Sequence, residues 1–223
     1  MEFQIMEELV GVSRRLPIYF LLDVSGSMVG GPIESIQQGI KAVINDLKTE
    51  PQALETAFIS IITFGSEARQ IIPLTEILSF QNPNLNASGT TSLGAALSIL
   101  DNCLENEVKK STSTHKGDYK PLVILITDGE PTDNWEGPAN IIKSKSGKFA
   151  NILVVGCGPQ ANYESLKKIS EMVMKMESTQ PNDFKQFFKW ISTSIQASSK
   201  SLSKDATAPI DLGIPPRDIY LVS

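Results

Sequence analysis

The chain has 223 residues, 41% of them hydrophobic and 20% charged, which is enough apolar material for a sizeable core and too much for a disordered chain. Its net charge is −5, with no run of Lys and Arg and no evident basic face, so nucleic acid is a poor candidate partner. Cys103 and Cys157 lie in separate apolar segments without a C-x-x-C spacing, which argues against a zinc site and a disulfide framework, and no apolar stretch reaches the roughly 18 residues of a membrane span.

Residues 1–15, MEFQIMEELVGVSRR, carry early acidic residues and no long apolar stretch, unlike a signal peptide, and read as an N-terminal extension of a cytoplasmic protein. PIYFLL (17–22) is a continuous apolar run between charged flanks, the pattern of a strand buried on both faces. Ile36, Ile40, Val43, Ile44 and Leu47 share one helical face over 33–48, and Pro51 is expected to close that helix. TAFISIITF (56–64) predicts a strand, paired through a Gly65-Ser66 turn with a shorter strand in ARQIIPL, whose Pro73 points to a sheet edge. Residues 80–92 read as a polar loop before a helix with Leu93, Leu97, Leu100 and Leu104 on one face.

After a solvated connection over 109–120, PLVILIT (121–127) and FANILVV (149–155) predict two more buried strands, with a helix over about 136–145 between them. Tyr163, Leu166, Ile169 and Val173 predict a helical face over 162–173. Asp183 and Gln186 form a capping-box pattern that opens a last helix with Phe184, Phe187, Phe188, Ile191 and Ile195 inward. The order predicts an α/β fold, a doubly wound, mostly parallel sheet flanked by helices, with the domain at 16–198 and a Ser-, Pro- and Gly-rich tail at 199–223.

Ligands of such a sheet sit beyond the carboxyl ends of its strands, near the point where strand order reverses. Three oxygen-rich stretches are expected there. The first strand ends in Asp23-Val24-Ser25-Gly26-Ser27, a later one in Thr127-Asp128-Gly129-Glu130, and the loop Ser88-Gly89-Thr90-Thr91-Ser92 opens a helix. Two carboxylates and several hydroxyls suit Mg2+ or Mn2+ rather than zinc, and leave a coordination position open for a partner's carboxylate.

DVSGS resembles the D-x-S-x-S motif of von Willebrand factor type A domains, and TDGEPTD resembles that family's later strand-end motif. The resemblance implies a sheet with one short antiparallel edge strand and a metal-ion-dependent adhesion site at Asp23, Ser25, Ser27, Thr91 and Asp128, with Thr90 as the alternative threonine. Longer strings, among them RRLPIYFLLDVSGSM, SGTTSLGAAL, KGDYKPLVILITDGEPTDNW and APIDLGIPP, are similar to the bacterial tellurium-resistance TerY-like branch. That similarity implies a non-enzymatic scaffold in stress resistance, with kinase- or phosphatase-like proteins or Ter stress proteins as partners.

Each motif also has an ordinary structural reading. Asp and Ser cap helices and form turns, and Asp128-Gly129 alone is a common turn. His115, the single histidine, lies in a polar loop and reads as a solvated residue. Cys103 reads as core, and Cys157 as a small buried residue near the site's edge. Trp135 either anchors its loop or lines a partner surface, and Asp133 is a helix cap or an outer group of the site. Two other functions compete with a binding module. A Mg2+-dependent phosphohydrolase would need an acid two residues after Asp23, where Ser25 stands, and a merely structural metal would leave partner choice untouched.

Overall fold

The computed structural model describes residues 14–114, 116–204 and 210–222. The strands are β1 (Leu16–Asp23), β2 (Ala57–Phe64), β3 (Ala68–Glu76), β4 (Leu122–Thr127), β5 (Asn151–Cys157), β6 (Met172–Met176) and β7 (Ile219–Leu221). They form one sheet in the order β3-β2-β1-β4-β5-β6-β7. The helices are α1 (Gly31–Lys48), α2 (Pro51–Thr56), α3 (Leu93–Asn106), α4 (Glu136–Lys145), α5 (Tyr163–Lys167) and α6 (Pro181–Lys204).

β1 is buried at every position, as an unbroken apolar run requires when helices cover both faces. Its side chains alternate between two cores. Ile18, Phe20 and Leu22 pack with α1, α2 and α6, whereas Tyr19 and Leu21 pack with α3, α4 and α5. β1 pairs in parallel with β2 on one side and β4 on the other, so strand order reverses between β1 and β4.

Several expectations need correction. The sheet has two antiparallel edges. β3 spans nine residues and is not a short strand. At the other edge β7, in the segment read as an aperiodic tail, pairs antiparallel with β6. Three residues are too few to show a period, but Ile219 is 2% exposed and joins one core. α6 runs to Lys204, across the boundary expected at 198. α1 ends at Lys48, and Pro51 opens α2 instead of only closing the preceding helix, because its missing N–H and fixed φ suit a first helical turn.

The helix expected over 162–173 stops at Lys167, and Val173 belongs to β6. Val173 falls at helical spacing from Ile169 only by coincidence, and strand pairing with β5 decides its conformation. α6 begins two residues before Asp183, whose carboxylate accepts a hydrogen bond from Ser178 Oγ instead of completing a capping box. Residues 1–13 and His115 lie outside the described residues.

α1 and α6 approach closely at Gly39, where an added Cβ would lie 1.9 Å from Phe188 Cδ2. Phe188 is 1% exposed, so moving its ring disturbs its core neighbours. Gly39→Ala therefore sets a gain in helix propensity of about 1 kcal/mol against overpacking of about 1–3 kcal/mol. We expect net destabilisation, read as a lower urea midpoint with an unchanged slope; a higher midpoint would refute this packing.

Candidate metal centre

The register that pairs Leu22 with Ile126 brings Asp23 and Thr127 side by side at the carboxyl ends of β1 and β4. Thr127 Oγ1 donates to Asp23 Oδ2 at 2.6 Å, and Ser25 N donates to Asp23 Oδ1 at 2.8 Å. A 3-10 turn over Gly26–Met28 then swings Ser27 across the sheet end. Ser27 Oγ donates to Asp128 Oδ1 at 2.7 Å and lies 3.1 Å from Ser25 Oγ. Asp23, Ser25 and Asp128 are buried, and Ser27 is exposed at the mouth.

The loop before α3 is tied to this cluster through its backbone. Gly26 N donates to Gly89 O at 2.9 Å, and Ser88 N donates to Val24 O at 2.7 Å. Gly89 has φ +79°, and an added Cβ would lie 1.9 Å from Ser66 Oγ, so both conformation and space require glycine. Thr91 is buried and Thr90 is exposed. A Cβ on Gly129, the neighbour of Asp128, would lie 3.7 Å from Thr91 Oγ1, so the Thr91 hydroxyl reaches the Asp128 side of the cluster. The structure thus brings together Asp23, Ser25, Ser27, Thr91 and Asp128, and leaves Thr90 facing outward.

Neither carboxylate has an ion-pair partner among the described residues. Burial pushes the Asp23 carboxyl above its ordinary pKa, against the hydrogen bonds from Ser25 and Thr127, and the charge of Asp128 adds to the rise. Burial likewise raises Asp128. Two buried carboxylates without a cation are an unbalanced arrangement, and a divalent cation held by them and the three hydroxyls would balance it. No group of three or more His, Cys, Asp or Glu suited to a metal occurs among the described residues.

The von Willebrand factor type A domain matches residues 18–193. The chain belongs to this family. Over 165 residues it is 28% identical to the inter-alpha-trypsin inhibitor heavy chain H4 of Bos taurus, covering 69% of this chain and 17% of that protein. The chain therefore spans less than a fifth of that relative's length. A von Willebrand factor type A protein from Catenulispora acidiphila superposes with a TM-score of 0.60 at 18% identity, over 82% of this chain and 43% of the other. Proximal thread matrix protein 1 of the mussel byssus, solved with a zinc-occupied MIDAS motif, gives 0.57 at 16% identity over 85% and 47%. Both likenesses concern the fold. Among the described residues no helix is long and apolar enough to cross a membrane.

Other parts of this von Willebrand A domain serve the cluster indirectly. Asp133 is a helix cap, but for α3: its carboxylate accepts from Gly94 N at 3.0 Å and Ala95 N at 2.9 Å, where Ser92 makes no side-chain cap. Thr132 exchanges backbone and hydroxyl hydrogen bonds with Thr91, with Thr132 N 2.9 Å from Thr91 O. Trp135 is half-buried against the α3–α5 core, with Lys168 Nζ 5.3 Å from its ring centre, which favours the loop anchor. Cys157 is fully buried, and burial raises its thiol pKa well above the ordinary value. The sequence reading missed Thr127 and Thr132 because neither belongs to a ligand-like spacing; Thr127's place at the end of a strand beside β1 was the available signal.

Two predictions follow from these contacts. Asp133→Ala should cost about 1 kcal/mol in urea unfolding, and Asp133→Asn clearly less; equal losses would show that the carboxylate is not a cap. In metal-free protein the raised pKa values mean that these two carboxyls hold more protons in the native than in the unfolded state, from roughly pH 4 up to their folded values. The stability from these groups is therefore largest at low pH and falls as pH rises through their folded values. In EDTA, raising pH should lower the urea midpoint of wild type relative to that of Asp128→Asn; a constant difference between the two would contradict the assignment.

Proposed function

We propose that the chain is a divalent-metal-dependent protein-binding module in which Asp23, Ser25, Ser27, Thr91 and Asp128 hold Mg2+ or Mn2+. The carrying observation is the pair of buried carboxylates at the ends of β1 and β4, with the Ser27 hydroxyl between Asp128 and the Ser25 hydroxyl and no cationic side chain paired to either acid. Both Asp23 oxygens already accept hydrogen bonds from Ser25 N and Thr127 Oγ1, which fixes that carboxylate's orientation toward the site. The bound ion would supply a Lewis-acidic position for an acidic side chain of the partner, while the rim at Gly30, Gly31 and Thr90 is exposed and meets that partner. The family consists mainly of interaction modules, which supports a binding role without turnover. Ser25 stands where a phosphohydrolase would carry its general acid, and no observation favours that reading.

The finer reading is a cytoplasmic scaffold of the bacterial tellurium-resistance TerY-like branch, working with kinase- or phosphatase-like partners or Ter stress proteins. Its support is the run of similar strings from RRLPIYFLLDVSGSM to APIDLGIPP.

Immobilised protein should retain its partner in Mg2+ and release it in EDTA, and Asp128→Ala should retain none while keeping its circular dichroism. Equal retention by the variant would refute the module. Thr91→Ala should weaken Mn2+ binding by about tenfold and Thr90→Ala should leave it unchanged, a loss on the scale of one or two kcal/mol; the reverse order would move the ligand to Thr90.

A further inference from the structure

The end of the sheet opposite Asp23 and Asp128 concentrates a charge that the linear sequence hides. β1, β4 and β5 are parallel, so their amino ends share that far pole. The segments leading into β4 and β5 meet there: Asn151 N donates to Pro121 O at 2.8 Å, and Lys120 Nζ donates to Gly147 O at 2.7 Å. They bring together Lys109, Lys110, Lys116, Lys120, Lys145 and Lys148, six of the 20 Lys and Arg residues in a chain of net charge −5. All except Lys145 are exposed. Asp118 is the single acid in 109–120 and 145–150, and Arg15 holds it 2.5 Å away with the Asp118 side chain 3% exposed. Lys109, Lys116 and Lys148 have no ion-pair partner among the described residues. The absence of a basic face, expected from the sequence, is thus corrected by topology: two separate, individually modest lysine groups become one surface.

This surface has an apolar centre. A cleft of about 230 Å³ opens between Leu104, Val108, Lys110, Pro121, Lys145 and Phe149. Phe149 is 69% exposed. Glu105 stands at the cleft wall and bridges Lys110 and Lys145, at 2.7 Å from each Nζ. The two lysines of the cleft wall, Lys110 and Lys145, are thus paired, Lys145 also with Asp101 at 2.5 Å, while the unpaired Lys109 and Lys148 are the chain neighbours of the lining residues Lys110 and Phe149. An apolar seat flanked by unpaired lysines matches a ligand of opposite sign with one apolar anchor.

We infer that this pole is a second docking surface, for an acidic protein segment that seats one aliphatic side chain beside Phe149 while its carboxylates meet Lys109, Lys116 and Lys148. The aliphatic walls Leu104, Val108 and Pro121 favour a branched side chain over a nucleotide base, which needs a flat aromatic platform. The six residues of β4 separate this pole from the metal centre by roughly 20 Å, so one partner can occupy each end. The inference does not depend on the metal reading.

The test is fluorescence anisotropy in EDTA with three labelled probes: a short oligoglutamate peptide with one central leucine, the same peptide with glycine there, and an oligothymidylate of equal charge. The leucine peptide should bind wild type tightest and weaken with salt. Lys109→Glu/Lys148→Glu should reduce its affinity about tenfold or more. Phe149→Ser should bring the leucine peptide down to the level of the glycine peptide, and Asp128→Ala should bind like wild type. All three changed positions of the pole are exposed, and circular dichroism confirms that the variants fold. Absence of leucine-peptide binding at low salt, or binding unchanged by charge reversal or by Phe149→Ser, overturns the proposal. Oligothymidylate binding as tight as the leucine peptide overturns the protein partner in favour of nucleic acid. Loss of binding in Asp128→Ala overturns the independence of the two poles.

Discussion

Two carboxylates buried at the ends of adjacent parallel strands set the terms for the rest of this structure. Asp23 and Asp128 repel each other and resist ionisation, and each is held by hydroxyl or amide donors and not by a cationic side chain. Such an arrangement is costly unless a cation completes it. The surrounding elements are organised to keep it in place. The β1–β4 register aligns the strand ends, the 3-10 turn delivers Ser27, and Gly89 in its left-handed conformation lets the Thr91 loop bond to the backbone of Gly26.

The apolar architecture explains why that alignment is rigid. β1 has no exposed face, and its alternating side chains enter two separate cores, so a register slip of one residue would exchange them. The helix supplying Thr91's neighbourhood is capped by Asp133, which itself lies just beyond the Asp128 loop. Two arms of the cluster therefore brace each other through the capping carboxylate of Asp133. The opposite pole is built differently, from exposed lysines beside a small apolar cleft.

Much of this was legible in the sequence where a physical signal was local. Unbroken apolar runs marked β1 and β4, helical spacing marked α1 and α3, and the oxygen motifs at strand ends marked the cluster. What stayed hidden depended on partners remote in sequence. Val173 has helical spacing but pairs with β5, and Ile219 lies in a stretch too short for periodicity but fills the sheet edge. Asp183 has the form of a capping box but is claimed by Ser178, and Asp133 caps a helix 39 residues away in sequence. The basic pole was invisible for the same reason, since the segment of Lys120 reaches the segment of Lys148 only when β4 and β5 pair.

The central claim is that the oxygen cluster holds a divalent cation. Calorimetric titration of wild type and Asp128→Ala with Mg2+ and Mn2+, with circular dichroism to show that both are folded, tests it most directly. The account predicts single-site binding to the wild type and none to the variant. Equal binding to both, or none to the folded wild type, would contradict it.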